Sequence, residues 1–279
     1  MAVSHECDHP REARSLPRVT SSVVDAGARA ETVDAAVSAV AASGRPLFAL
    51  DAGRIRELAP DVVVTQGLCE VCAVSEGDVR ALAATMHPPP AVVTLGATTL
   101  GQVLDSIASL GAALGAADEA QELLAGLRSR MRRVHETLAR DRAPRPRVAV
   151  IEWTDPVYVA GHWVPDMVRR AGGVDALATP GDHSRPHEVA EIRGAAPDIV
   201  VVAPCGYGVE RAADEAERLM ARPEWSWAGS LPWWAVDGNA LTSRPGPRLC
   251  DGIETLARIF NAPLFSPLLS GRARPVSRR

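Results

Sequence analysis

Four cysteines are the residues best suited to metal chemistry in this chain. Cys69 and Cys72 are separated by two residues, a spacing shared by zinc sites, redox pairs and chance. Together with Cys7 and Cys205 they would supply four thiolates, enough for tetrahedral zinc or an iron–sulfur cluster. Two histidines are alternative ligands, His5 and His162. The competing interpretation is that these cysteines are small apolar residues packed in loops.

Short polar segments that each follow an apolar run are the second feature with chemical potential. The carboxyl ends of parallel strands are where open α/β sheets bind ligands, so segments that follow strands are candidate binding loops. Two come from each half of the chain, and we expect them to converge on one cleft between two lobes. The segments are residues 4–10, 66–72, 152–156 and 203–207.

Aromatic and amide-binding side chains in the second half favour a flat ligand. A corrin or porphyrin ring needs aromatic faces and few charges, and Trp153, Tyr158 and Trp163 are candidate wall residues. His162 precedes a predicted helix over residues 165–170 and could ligate a metal centre, although capping or packing is the more common role. Asn239 and Arg244 could bond ligand amides, or they could simply belong to a turn that starts the closing helix.

The elements that must position these residues alternate between strands and helices, which predicts an α/β fold with mainly parallel sheets. Leu124, Leu127, Met131, Val134 and Leu138 form one apolar stripe on a predicted long helix. We therefore expect two Rossmann-like lobes, residues 1–115 and 143–262, joined by a linking helix over residues 116–142 and followed by a loose tail over residues 263–279. The predicted strands cover residues 61–65, 91–95, 147–151, 198–202 and 233–236, and the predicted closing helix runs from Leu249 to Phe260.

Composition excludes several classes of function. The 279 residues carry a net charge of −4, which gives no electrostatic reason to expect nucleic acid as a partner. No apolar run approaches the roughly 20 residues needed to span a bilayer, and the polar N-terminus predicts a cytoplasmic protein as the sequence stands. Nucleophile-elbow and zinc-protease motifs are absent. We therefore predict a binding protein and not an enzyme.

Several longer motifs resemble one known family. SHECDHP (4–10), LCEVCAVS (68–75), EWTDPVYVAGHWVPDMVRRAGGVD (152–175) and VDGNALTSRPGPRLCDGIE (236–254) are similar to the cobalamin-binding subgroup of ABC-transporter substrate-binding proteins. The resemblance implies two Rossmann-like lobes joined by one long helix. It also implies capture of cobalamin, a siderophore, haem or a metal ion, and an ABC permease as partner. The predicted ligand-binding residues are His5, Glu6, Cys7, Asp8, Gln66, Trp153, Tyr158, His162, Trp163, Asn239 and Arg244.

The chain departs from the family at its beginning, because the family normally has a strand and a helix before the SHECDHP segment. We expect the true start to lie upstream, and in that case an extracytoplasmic location. The leading hypothesis is a monomeric solute-binding protein that holds a cobalamin-like corrinoid or another metal chelate. The alternative is an intracellular metalloprotein of the same fold, with zinc or an iron–sulfur centre on Cys7, Cys69, Cys72 and Cys205.

Overall fold

The computed structural model describes residues 1–25, 27–68, 74–267 and 270–277. The chain divides into two compact units, one of Met1–Gly96 with Ala112–Ala116 and one of Ala97–Gly111 with Ala117–Arg279. This division differs from the predicted one, because the long helix is grouped with the second unit. Its apolar stripe explains the grouping, since Leu124, Leu127, Met131 and Val134 are buried there and the helix contacts the closing helix.

The first unit contains two small two-stranded sheets. Strands β1 and β2 pair antiparallel, and β3 pairs parallel with β4 in the register Val62↔Ala91 to Gln66↔Leu95. The predicted strands at 61–65 and 91–95 are therefore confirmed. The strands are β1 (Thr20–Ser22), β2 (Phe48–Leu50), β3 (Val62–Gln66) and β4 (Ala91–Leu95), and the helices are α1 (Ala30–Ala42), α2 (Ala52–Leu58) and α3 (Glu76–Ala84).

Strand β3 is not covered on both faces, contrary to the expectation from its apolar sequence. None of its five residues is buried, and the side chain of Val64 is 44% exposed. A Val-rich run predicts a strand because β-branched side chains fit a pleated surface. The run does not reveal how many neighbouring elements will cover it.

The second unit is built on one mixed seven-stranded sheet, and the predicted α/β fold is confirmed. The strand order is β11-β10-β9-β5-β6-β8, with β7 also paired to β5, and the contacts among β10, β9, β5 and β7 are parallel. The strands are β5 (Arg147–Thr154), β6 (Val157–Val159), β7 (Val174–Asp175), β8 (Arg185–Pro186), β9 (Ile199–Val202), β10 (Trp233–Val236) and β11 (Ala273–Val276).

Helices cover the central strands of this sheet. All four residues of β9 are buried, and the core around them includes the indoles of Trp225 and Trp233, whose rings lie 5.2 Å apart. The predicted long helix, the helix after His162 and the closing helix are confirmed, with bounds that agree within two residues. The helices are α4 (Leu100–Ala113), α5 (Ala117–Arg140), α6 (Val164–Arg170), α7 (Val189–Gly194), α8 (Val209–Ala221), α9 (Gly238–Leu241) and α10 (Leu249–Phe260). Among the described residues, no helix is both long enough and apolar enough to cross a bilayer.

The tail is ordered over β11, so the prediction of a loose tail is wrong for Ala273–Val276. These residues pair antiparallel with β10, the side chain of Val276 is buried, and Arg274 forms ion pairs with Glu210 and Glu217. Pro275 is tolerated because β11 is an edge strand, where a missing N–H breaks no ladder. A strand of this composition is fixed by its partner and carries almost no periodic signal of its own.

Strand β5 is longer than predicted, and it takes in residues that we expected to form a loop. It continues to Thr154, turns at Asp155 and Pro156, and pairs back through β6, with a shift of register between Ile151 and Trp153. The buried hydroxyl of Thr154 donates to the Glu215 carboxylate at 2.8 Å. This bond satisfies two buried polar groups at the end of the strand.

Candidate functional site

Three segments of the second unit meet at the carboxyl ends of neighbouring strands. The Cys205 amide donates to the Glu152 carbonyl at 3.1 Å, which joins the segment after β9 to the end of β5. The Asn239 amide donates to the Tyr207 carbonyl at 3.1 Å, which adds the segment after β10. We call residues 152–155, 203–211 and 237–244 the strand-end surface. The structure thus brings together two of the predicted binding segments and the Asn239–Arg244 region.

Glycine is required where these segments touch. A Cβ atom at Gly238 would lie 2.2 Å from the carbonyl oxygen of Pro204, closer than any side chain can approach. The backbone after β10 can therefore pack directly against the backbone after β9. Asp237 then caps α9 by accepting from the Ala240 amide at 2.8 Å.

The side chains of Trp153 and Arg211 form one part of the strand-end surface, and both pack against the buried ring of Tyr207. The half-buried ring of Trp153 meets Tyr207 edge to face, with centroids 5.4 Å apart. The guanidinium carbon of Arg211 lies 3.4 Å above the centre of the Tyr207 ring, which is a cation–π contact. Sequence reasoning chose Trp153 but missed Tyr207 and Arg211. Only the position of Tyr207, directly after a predicted strand, carried a signal.

Asn239 and Arg244 lie together, as a shared ligand contact would require. The Nε and Nη2 atoms of Arg244 donate to the Asn239 Oδ1 at 3.0 and 2.6 Å. This fork fixes the orientation of the Asn239 amide. The segment is also the turn that the competing interpretation proposed, so the two interpretations describe the same residues.

The other predicted residues of this unit have different environments. Trp163 is buried, and its indole Nε1 donates to the Thr242 carbonyl at 2.7 Å, so it connects α6 to the segment after β10. Tyr158 is half-buried in β6, opposite Trp153 in the strand register. His162 is half-buried, and its ring lies beside that of His183 at a centroid distance of 5.2 Å.

In the first unit, residues 4–8 form a turn that one arginine stabilises. The Nη1 atom of Arg18 donates to the carbonyl oxygens of Ser4 and Cys7, at 2.6 and 2.5 Å. The backbone amide of His5 donates to the Thr20 hydroxyl at 2.9 Å. The side chain of Glu6 is 52% exposed. No sequence pattern indicated Arg18, because its guanidinium binds backbone carbonyl groups.

The remaining predicted residues are Gln66 and the four cysteines of the metal hypothesis, and the structure describes only two of these cysteines. Gln66 is the last residue of β3 and pairs with Leu95. Cys7 is in the first unit, Cys205 is exposed in the second, and Cys69 and Cys72 lie outside the described residues. Within the described ranges, no group of three or more His, Cys, Asp or Glu side chains is arranged to hold a metal ion. The four-cysteine centre stays a prediction.

Comparison with known protein families gives a match to one family profile. The profile described as periplasmic binding protein matches residues 30–227 of the chain. A search of curated proteins gave no match.

Solved structures share the fold along nearly the whole chain. A periplasmic heme binding protein from Pseudomonas aeruginosa is 22% identical with a TM-score of 0.70, and the match covers 100% of this chain and 90% of that one. Periplasmic heme-binding protein BhuT, solved with two hemes, is 24% identical with a TM-score of 0.64, covering 92% and 87%. The periplasmic vitamin B12 binding protein BtuF of Vibrio cholerae is 18% identical with a TM-score of 0.56, covering 94% and 88%.

Proposed function

We propose that this chain, which belongs to the periplasmic binding protein family, captures a metal chelate, with a cobalamin-like corrinoid as the first candidate and haem or a siderophore as alternatives. The family consists of binding proteins and not of enzymes. Structures with the same fold include a periplasmic heme binding protein and a periplasmic vitamin B12 binding protein. The motifs shared with the cobalamin-binding subgroup support the same ligand class.

The strand-end surface of the second unit is the observation that carries this proposal. It combines the half-buried indole of Trp153, which packs against the buried ring of Tyr207, with the guanidinium of Arg211 and the fork of Arg244 on Asn239. A macrocyclic chelate presents a flat apolar face and a periphery of amides or carboxylates. Aromatic side chains suit the face, and guanidinium and amide groups suit the periphery.

Delivery of the captured chelate to an ABC-type permease is the second half of the proposal. This role requires a location outside the cytoplasmic membrane, and family membership supports it. His5, Glu6, Cys7, Asp8 and Gln66 remain predicted ligand contacts of the first unit.

A thermal-shift panel tests the ligand class. Purified protein is heated with cobalamin, cobinamide, haem or a ferric hydroxamate, each at saturation. A ligand at about one hundred times its Kd stabilises the native state by about 2.7 kcal/mol, which for a chain of this size raises Tm by about 5–10 °C. If none of the four compounds raises Tm, the chelate proposal is refuted.

Variants at Arg244 test the proposed surface. Arg244→Lys keeps the charge but loses the planar fork, and we expect it to weaken the stabilising chelate by about tenfold or more. Arg193→Lys makes the same change at an exposed arginine near the end of α7 and should leave affinity unchanged. Equal affinities for both variants and the wild type would show that Arg244 does not contribute to binding, and would contradict the strand-end surface as the binding site.

A further inference from the structure

Two histidines distant in sequence converge beside α6. The Nε2 atom of His162 lies 3.3 Å from the Nδ1 atom of His183, and the two rings are perpendicular. His162 is half-buried and His183 is exposed. Neither pairs with a carboxylate in any ion pair found among the described residues.

The separation of the two nitrogens matches the edge of a coordination tetrahedron. Imidazole nitrogens bind zinc at about 2.0–2.1 Å, so two of them on one tetrahedral ion are about 3.3–3.4 Å apart. Two neighbouring ligands of an octahedral ion would be closer, at about 2.9 Å for the same bond length. At 3.3 Å the two nitrogens are also within reach of a direct hydrogen bond, which a bound ion would replace.

The backbone that carries the two rings is firmly held. The His162 amide donates to the Asp182 carbonyl at 2.6 Å, and the Gly181 amide donates to the His162 carbonyl at 3.0 Å. The Gly161 amide donates to the Ser184 hydroxyl at 3.0 Å. A Cβ atom at Gly161 would lie 2.4 Å from the Asp182 carbonyl oxygen, so only glycine allows this contact.

The backbone of His162 itself is strained. Its φ of +53° is in the left-handed region, which costs a non-glycine residue free energy and persists only where surrounding contacts impose it. Those contacts are the hydrogen bonds to residues 181–184. They aim the imidazole of His162 at His183.

A carboxylate next to His183 holds the loop that carries this residue. The Asp182 carboxylate accepts hydrogen bonds from the amide and the hydroxyl of Thr179, at 3.1 and 2.5 Å. These bonds keep the loop in place beside His162.

We propose that His162 and His183 bind one divalent cation of the zinc class, with two coordination positions left open for water or for an oxygen donor. The described residues supply only two ligands, so the site is of the open kind, which exchanges its remaining ligands. This inference goes beyond the proposed capture of a chelate and does not depend on it.

Cobalt substitution tests the site without any chelate present. Co²⁺ is titrated into the metal-free full chain, and visible absorption is recorded. A tetrahedral histidine site gives intense d–d bands that saturate at one equivalent and disappear when Zn²⁺ is added. A thiolate-to-cobalt charge-transfer band in the near ultraviolet would instead identify a cysteine site.

Three variants locate the metal. His183→Ala changes an exposed side chain, and His162→Asn keeps a residue type that tolerates positive φ. Each should weaken Co²⁺ binding by at least about tenfold, as expected for loss of one of two ligands. His135→Ala removes an exposed histidine of α5 and should bind like the wild type. Weak octahedral bands, a thiolate band alone, or unchanged binding in both site variants would overturn the proposal.

Discussion

The two units use similar strand sequences with different outcomes. Strand β9 (Ile199–Val202) and strand β3 (Val62–Gln66) each follow an aspartate and begin with β-branched residues. Every residue of β9 is buried and none of β3 is. Strand β9 lies between β5 and β10 under helix α8, whereas the one strand that pairs with β3 in the described parts of the chain is β4. A strand can therefore be read from local sequence, whereas its burial depends on how many elements pack against it.

The largest difference in the free energy of unfolding should come from substituting alanine for one helix glycine in each unit. A Cβ atom at Gly252 in α10 would lie 2.3 Å from the Leu241 carbonyl oxygen, whereas one at Gly53 in α2 would meet nothing closer than 3.6 Å. We expect Gly252→Ala to lower the free energy of unfolding by about 3 kcal/mol, and Gly53→Ala to raise it by about 0.5–1 kcal/mol. Denaturant melts measure both. Similar effects in the two variants would break the contrast between the units.

A matched pair of valines tests burial directly. The side chain of Val201 in β9 is fully buried, and that of Val64 in β3 is 44% exposed. Val201→Ala should cost about 2 kcal/mol, because it removes buried methyl groups and leaves a cavity. Val64→Ala should cost less than about 0.5 kcal/mol. A large loss at Val64 would show that another surface covers β3.

Asp175 tests whether the second unit also buries a side chain that can carry a charge. Burial raises its pKa to about 6, although its Oδ1 accepts from the amides of Leu177 and Ala178. The native state thus binds a proton between about pH 4 and 6 that the unfolded state has lost, so stability falls as pH rises through that window. Above pH 6, Asp175→Asn should raise stability by about 1–2 kcal/mol, since the amide oxygen can still accept both bonds.

The control for this pH dependence is Asp78→Asn, at an exposed aspartate in the first turn of α3. It should lower stability by at most about 0.5 kcal/mol, through loss of a favourable charge at the helix start. The gain from Asp175→Asn should vanish below pH 4. A gain that is the same at pH 4 and pH 8 would mean that charge burial is not its cause.

Local patterns predicted five strands and three helices, and two of the misses share a physical cause. Helices α5 and α10 and strands β3, β4, β5, β9 and β10 carry their own periodicity or β-branched runs. Strand β11 carries neither, because its sequence is Ala-Arg-Pro-Val and its order comes from pairing with β10. The extension of β5 likewise comes from a partner strand, because Trp153 and Thr154 pair with β6.

The same distinction applies to the candidate site. Trp153, Asn239 and Arg244 come after predicted strands, and that position made them predictable, although Trp153 lies within β5 in the structure. Arg18 and His183 were not predictable, because each acts on a partner through contacts that only folding creates. Residue type and strand-end position therefore identify candidates, whereas supporting residues are found only in the folded chain.

Hydrogen exchange with mass spectrometry tests the central claim, which is that the strand-end surface of the second unit holds a metal chelate. Exchange is compared with and without each chelate of the thermal-shift panel. We predict that the stabilising chelate slows amide exchange chiefly in peptides covering residues 152–155, 203–211 and 237–244. Protection confined to other parts of the chain, or none with any of the four compounds, would contradict the claim.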